Sequence, residues 1–135
     1  MVDSIRIARG VLAQILDHAQ RVPEQECCGL LAGREGAIKK YFPARNALSS
    51  STAYEIAAVE LFALVREMRT QQLDLLGIYH SHPHGENVPS ISDIERAYYP
   101  DAAHFIISPV PGAPRPVRAF RIRDGRFTEL SIEEI

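Results

Sequence analysis

The chain of 135 residues has no tryptophan, two cysteines and no long hydrophobic run. No stretch reaches the roughly 20 apolar residues that a membrane-spanning helix needs, so we expect no membrane segment. The net charge of −2 excludes the overall basic field with which proteins bind nucleic acid. An aromatic content of 7% also argues against a surface that stacks bases. We therefore expect neither a membrane nor a nucleic-acid partner.

The start of the chain lacks the basic residues and apolar run of a signal peptide. Cys27 and Cys28 are adjacent, and neighbouring Cα atoms lie about 3.8 Å apart. This separation is shorter than the roughly 4.4–6.8 Å of ordinary disulfides, which makes a bridge within the chain unfavourable. Two reduced thiols fit a reducing compartment, so we expect a cytoplasmic protein.

Hydrophobic residues make up 46% of the chain and charged residues 24%, as in ordinary globular proteins. The length matches one domain, so we expect a single domain over residues 1–135. Apolar spacing predicts amphipathic helices at 9–21 and 56–71, and the capping box Ser92-Asp93-Ile94-Glu95 predicts a short third helix. Short apolar or alternating runs predict seven strands, at 5–7, 27–32, 38–42, 73–82, 104–108, 116–123 and 127–132. Because strands and helices do not alternate strictly, the fold class is α/β of the α+β kind, with helices on a mixed, mostly antiparallel sheet.

Three of the five histidines fall within residues 80–84. His80 and His82 are two residues apart on a predicted strand, so their side chains point to the same face. Two imidazoles placed in this way can converge on one ion at about 2.0–2.1 Å. Pro83 then ends the strand, which puts both rings at its rim. The alternative is a solvated loop that happens to be rich in histidine.

A hydrolytic zinc site needs a third protein ligand, and His84 and Asp93 are the two candidates. His84 follows Pro83, where the strand alternation is broken, so its direction is not fixed by His80 and His82. Asp93 lies in the first turn of the predicted short helix, which the intervening loop can bring back to the strand end. We favour Asp93, with simple helix capping as its alternative, and interpret His84 as a mobile loop residue.

Such a site also needs a general base, and Glu26 is the best candidate because it directly precedes a buried strand. Desolvation there would raise its pKa toward working pH, whereas Glu24 is interpreted as a surface residue. The alternative for Glu26 is a solvated loop carboxylate, since glutamate is mostly exposed. Ser90 could donate its hydroxyl to a developing oxyanion, or could simply cap a turn. Cys28 could be a soft fourth ligand or an oxidation-sensitive neighbour, but a small buried apolar residue is the favoured interpretation. No role is assigned to His104.

The run His80-Ser81-His82-Pro83, followed by Ser90 and Asp93, resembles the His-x-His-x(7)-Ser-x-x-Asp motif of JAMM/MPN+ zinc metallopeptidases. The segment from Glu26 to Gly33 is similar to that family's Glu-x-x-Gly-x-x-x-Gly strand. The resemblance implies one zinc ion per chain, held by His80, His82 and Asp93. It also implies that Glu26 activates water and that Ser90 supports the tetrahedral intermediate. The fold it implies is the curved, cytidine-deaminase-like JAB/MPN architecture.

Short bacterial members of this family are the ones that the chain resembles most, because it has little room for ubiquitin-gripping insertions. The resemblance implies cleavage after the C-terminal Gly-Gly of a ubiquitin-like sulfur-carrier protein of the ThiS/MoaD-like class. The products would be the carrier and cysteine, as in cysteine biosynthesis, or a short C-terminal extension. The alternatives are a deubiquitinase-like isopeptidase of broader specificity, a non-catalytic MPN binding module and a RadC-like DNA-linked protein. A homodimer is left open.

Overall fold

A computed structural model describes residues 3–135. Residues 1 and 2 lie outside the described residues. They belong to the predicted domain 1–135 and to the segment in which no signal peptide is predicted. The strands are β1 (Ser4–Ile7), β2 (Cys28–Arg34), β3 (Ala37–Ala44), β4 (Asp74–Ser81), β5 (Ala103–Ile107), β6 (Val117–Arg123) and β7 (Arg126–Glu134). The helices are α1 (Arg9–Arg21), α2 (Ala58–Thr70) and α3 (Ile91–Glu95). None of these helices is long and apolar enough to cross a membrane.

The strands form one mixed sheet in the order β1-β3-β2-β4-β5-β6-β7, which closes because β1 also pairs with β7. Strand β1 runs parallel to β3 and β7, and β4 runs parallel to β5. The other four pairings are antiparallel, which confirms the predicted mixed, mostly antiparallel sheet with flanking helices. Its closure was not predicted, because no local pattern shows that the first and last strands will pair.

Alternation along the strands divides the core between the two faces of the sheet. Leu31 and Tyr79 belong to the larger apolar cluster, which α1 covers with Val11 and Ile15. The neighbouring strand positions, Leu30 and Ile78, belong to a second cluster that is covered by Met68 of α2. His80 is two residues beyond Ile78 on β4 and therefore lies on the α2 side of the sheet.

Helix α3 begins at a capping box, but the box starts at Ser90 and the prediction that it starts at Ser92 is wrong. The Ser90 hydroxyl accepts a hydrogen bond from the Asp93 N–H (3.1 Å), and the Asp93 carboxylate accepts one from the Ser90 N–H (2.9 Å). Both serines have an acidic residue three positions later, so local sequence permits either start. Contacts of Asp93 with distant residues, described below, favour the earlier one.

The two glycines of the segment 26–33 are required by close packing. A Cβ atom at Gly29 would lie 2.6 Å from the carbonyl oxygen of Phe42 and would also meet the buried ring of Tyr79. A Cβ atom at Gly33 would overlap the carbonyl of Ala37, where β2 turns back into β3. These positions therefore let β2 approach its neighbours more closely than any side chain would allow.

We expect Gly33→Ala to destabilise the protein by about 2 kcal/mol or more, because the obstacle is backbone and cannot rotate away. Gly10→Ala is the matched control, since nothing lies within 4 Å of a Cβ atom there and the site is helical. That variant should be unchanged or slightly more stable. Urea unfolding of both variants tests the prediction, and equal stabilities would contradict it.

Candidate metal centre

The two histidines of β4 and its exit come together at one end of the sheet. The backbone N–H of His82 donates a hydrogen bond to the carbonyl of Ile107 (2.9 Å). Backbone pairing with β5 therefore continues one residue past the end of β4. The two side chains are buried, and their Nε2 atoms lie 3.1 Å apart. The predicted placement on one face thus brings two imidazole nitrogens to a single point.

Asp93, and not His84, completes this group. Its Oδ1 lies 3.1 Å from Nε2 of His80, and its Oδ2 lies 3.0 Å from Nε2 of His82. The same Oδ2 accepts the Ser90 N–H, so Asp93 caps α3 and also faces the histidines. His84 is exposed and takes no part in the cluster. The two interpretations weighed for Asp93, helix capping and ligation, are therefore compatible.

The cluster fits a metal ion such as zinc. Its three ligand atoms all lie within 4.8 Å of one another. Ligand atoms about 2.0–2.1 Å from a tetrahedral zinc ion lie about 3.3 Å from each other. The distances between the ligand atoms of His80, His82 and Asp93 are within a few tenths of an ångström of this value. The Nδ1 atom of His82 lies 2.8 Å from the carbonyl of Glu86, which can only accept a hydrogen bond. A ring proton therefore sits on Nδ1, which leaves Nε2 as the ring atom available to a metal ion.

The charges of the cluster are set by burial and by mutual contact. Burial opposes ionisation of Asp93, but hydrogen bonds with His80 and His82 outweigh it and hold the pKa of the carboxyl well below its usual range. Burial lowers the pKa of His80 and keeps this imidazole neutral. In His82 burial is outweighed by hydrogen bonding to Asp93 and the Glu86 carbonyl, and the pKa is raised. A metal ion would displace the protons shared between Asp93 and these rings, leaving one carboxylate and two nitrogen donors, a set that zinc favours.

Tyr54 was not predicted to lie at the site. Its ring stacks on that of His80, with the centroids 4.6 Å apart and the planes inclined by 23°. His80 is 2% exposed, and among residues 3–135 its Nδ1 has no hydrogen-bond partner. Stacking on Tyr54 therefore helps to fix the plane of this imidazole, in addition to the contact of its Nε2 with Asp93.

Glu26 lies beside the cluster as a buried carboxylic acid. The side chain is 4% exposed, and Oε1 has no hydrogen-bond partner among the described residues. Desolvation raises the pKa of Glu26 to about 7, against an opposing attraction to His82. Glu24, the rival candidate, is exposed. A carboxyl with a pKa near neutrality can both accept and release a proton at working pH, as a general base must.

Asn46 ties the loop after β3 to the backbone of Glu26, and sequence reasoning missed it. Its side-chain amide donates to the carbonyls of Glu26 (3.0 Å) and Ala53 (2.9 Å). Its side-chain oxygen accepts the N–H groups of Leu48 (3.0 Å) and Glu55 (3.2 Å). Asparagine is common in loops, so no local signal distinguishes a buried organiser from a solvated turn residue.

Ser90 and Cys28 occupy positions that limit what each can do. The Ser90 hydroxyl accepts the Asp93 N–H, which leaves its own hydrogen free to be donated. Cys28 pairs with His80 across β2 and β4, and burial raises the pKa of its thiol to about 12. A protonated, fully buried thiol fits the favoured interpretation of a small apolar residue, and the metal-ligand group found in residues 3–135 does not include it.

The chain is similar in sequence to known proteins. The profile of a family described as prokaryotic homologs of the JAB domain matches residues 8–123. The CysO-cysteine peptidase of Mycobacterium tuberculosis is 36% identical over 120 residues, which cover 87% of this chain and 82% of that protein. A desampylase of Haloferax volcanii is 34% identical over 112 residues, which cover 78% of this chain and 81% of that protein.

Solved structures show the same fold. A protein from Desulfitobacterium hafniense superposes with a TM-score of 0.84 at 28% identity, covering 97% of this chain and 92% of that one. A JAB1/MPN domain protein from Archaeoglobus fulgidus superposes with a TM-score of 0.63 at 21% identity, covering 96% of this chain and 97% of that one. The chain therefore belongs to the JAB/MPN family, and it is a hydrolase of the JAMM type.

The buried carboxyl of Glu26 should make the metal-free protein less stable as pH rises. Its pKa of about 7 in the folded chain exceeds the ordinary value of 4.5, so the folded state binds this proton more tightly than the unfolded state. Stability is lost between these two values as pH increases. Metal-free Glu26→Gln should therefore be more stable than the wild type at pH 8, by up to about 3 kcal/mol.

At pH 4 the two proteins should differ little, because Glu26 is then protonated in both states. Urea unfolding in the presence of a chelator at about pH 4, 6 and 8 measures the difference. A stability difference that is the same at all three values would contradict the burial of an ionisable Glu26.

Proposed function

We propose that the chain, as a single domain over residues 1–135, is a zinc-dependent peptidase that acts on a ubiquitin-like sulfur-carrier protein. The bond it cleaves follows the carrier's C-terminal Gly-Gly and joins it to cysteine or to a short C-terminal extension. One observation carries this proposal: the three converging ligand atoms lie beside a buried carboxylic acid whose pKa is near 7. The two free cysteines support a cytoplasmic location. Release of cysteine as a product supports a place in cysteine biosynthesis.

In this proposal His80, His82 and Asp93 hold one zinc ion per chain. When bound, zinc polarises the scissile carbonyl and lowers the pKa of water to about 7. The hydrogen bond between His82 and the Glu86 carbonyl orients one ligand, and the ring of Tyr54 orients another. The Ser90 N–H holds the third ligand, Asp93, because it donates a hydrogen bond to the Asp93 carboxylate.

Glu26 and Ser90 supply the proton transfer and the hydrogen bond that peptide hydrolysis requires. Glu26 takes a proton from the attacking water at its unpartnered Oε1 and returns it to the leaving amine. Ser90 donates its free hydroxyl hydrogen to the oxygen on which negative charge develops. The Asn46 side chain holds the backbone of Glu26 and thereby its carboxylate in place.

A Gly-Gly tail suits this site because glycine lets the main chain pass close to buried side chains. The name of the Mycobacterium relative describes removal of cysteine from a protein, CysO. The desampylase name favours a second candidate function, which is a broader isopeptidase that releases carriers from protein conjugates. The intact ligand set counts against a non-catalytic binding module, and the net charge of −2 counts against a DNA-linked role.

The test uses ubiquitin-like carriers that end in Gly-Gly followed by cysteine or a short extension, together with carrier–protein conjugates. We expect mass spectrometry to detect release of the extension, and a chelator to abolish it. Glu26→Gln should retain about one zinc per chain but lose at least about 100-fold in rate. The exposed neighbour provides the control, so Glu24→Gln should behave as the wild type.

Two results would contradict this proposal. One is hydrolysis by Glu26→Gln at the wild-type rate, which would exclude Glu26 as the base. The other is an absence of cleavage of every carrier and conjugate by zinc-loaded protein. Cleavage of conjugates at rates above those of extensions would favour the isopeptidase.

Ser90→Ala should reduce kcat by about 100-fold, because a donor to the developing oxyanion is lost. It should also cost about 1 kcal/mol in stability, because the cap of α3 is lost. Steady-state kinetics with extended carriers and urea unfolding separate these effects. A variant that loses stability while kcat stays unchanged would limit Ser90 to its role as a cap.

A further inference from the structure

A cavity of about 240 Å³ opens directly beside the metal-ligand cluster. His80 and Asp93 form one of its walls, so a molecule bound there would touch the cluster. Leu30, Leu61 and Ile78 line it on the sheet and α2 side, where they belong to the second apolar cluster or pack against it. The space is large enough for one bulky side chain, and its lining favours an apolar one.

Two polar side chains in the cavity lining have unused hydrogen-bonding capacity. Arg96 is three residues beyond Asp93, so the two side chains are neighbours on α3 and its C-cap. The guanidinium of Arg96 has one contact with Glu55, at 3.4 Å, and both side chains are substantially exposed. His104 is 5% exposed, and its Nε2 has no hydrogen-bond partner among residues 3–135.

These features match one side of the scissile bond and not the other. The carrier side ends in Gly-Gly, which has no side chain to fill an apolar cavity. The residue after the scissile bond does have one, and when the extension is a single residue it also carries a free α-carboxylate. Arginine is the side chain best suited to hold a carboxylate, and a weak exposed ion pair with Glu55 is easily exchanged for it.

We propose that this cavity binds the residue released by hydrolysis, with an apolar side chain against Leu30, Leu61 and Ile78 and its α-carboxylate on Arg96. The Nε2 atom of His104 supplies a further hydrogen bond from the wall of the cavity. The inference rests on the proposed function, and it names the substrate class more narrowly as carriers extended by one apolar residue with a free carboxylate. A conjugate joined through a lysine side chain has no carboxylate at this position, so Arg96 would favour extensions over conjugates.

The test compares one carrier ending in Gly-Gly and extended by leucine, alanine or aspartate as free acids, or by leucinamide. We expect kcat/KM for leucine to exceed that for alanine by about 10-fold or more, because the cavity is apolar. Leucine should exceed leucinamide by about 10- to 100-fold, since the amide lacks the charge. Aspartate should be the poorest of the free acids.

Arg96→Gln should abolish the preference for leucine over leucinamide, and Arg96→Lys should restore part of it. The matched control is Arg66→Gln, an exposed arginine of α2 that lies outside the cavity and should retain the wild-type preference. Equal rates for acid and amide in the wild type, or an unchanged preference in Arg96→Gln, would overturn the proposal.

A binding measurement separates this inference from the proposed function. N-acetyl-leucine should shift the NMR signals of the His104 ring in the wild type. The apparent Kd of N-acetyl-leucinamide, measured from the same signals, should be at least about 10-fold higher. If no carrier is hydrolysed, the proposed function fails, and this titration alone decides the cavity's ligand. Equal binding of acid and amide would then overturn the inference.

Discussion

The Asp93 carboxylate is the contact on which the rest of the site depends. One of its oxygens faces His80, and the other faces His82 and accepts the Ser90 N–H. The same group thus joins the end of β4 to the start of α3 and sets where that helix begins. A helix of five residues has little stability of its own, so its cap and its contact with the histidines hold it in place.

Burial near this contact creates reactivity at the expense of stability. Glu26 is almost fully buried, and its carboxyl is consequently harder to ionise than a solvated one. The loop that Asn46 organises binds its backbone. The neutral His80 ring, held by Tyr54, is the form that can bind a metal ion. Groups that a core would normally exclude are therefore gathered at one end of the sheet, as in many active sites.

Much of the fold could be predicted because its signals are local. Apolar spacing located α1 at residues 9–21, and every strand was found to within two residues at each end. The start of α3 was misplaced because Ser90 and Ser92 offer equivalent capping boxes, and only the distant histidines favour the first. Closure of the sheet between β1 and β7 also escaped prediction, because it depends on curvature accumulated over all seven strands.

The ligand candidates could be identified without a structure, because alternation along β4 follows from backbone geometry and the spacing to Ser90 and Asp93 matches a motif. Glu26 could also be identified as the candidate base, from its place before a buried strand and its match to the family's Glu-x-x-Gly-x-x-x-Gly strand. Which loop residue organises the site, and what lies beside it, depends on contacts between distant segments. Asn46 and the cavity at Arg96 are each built from segments far apart in the chain, and such contacts leave no periodic trace in a single sequence.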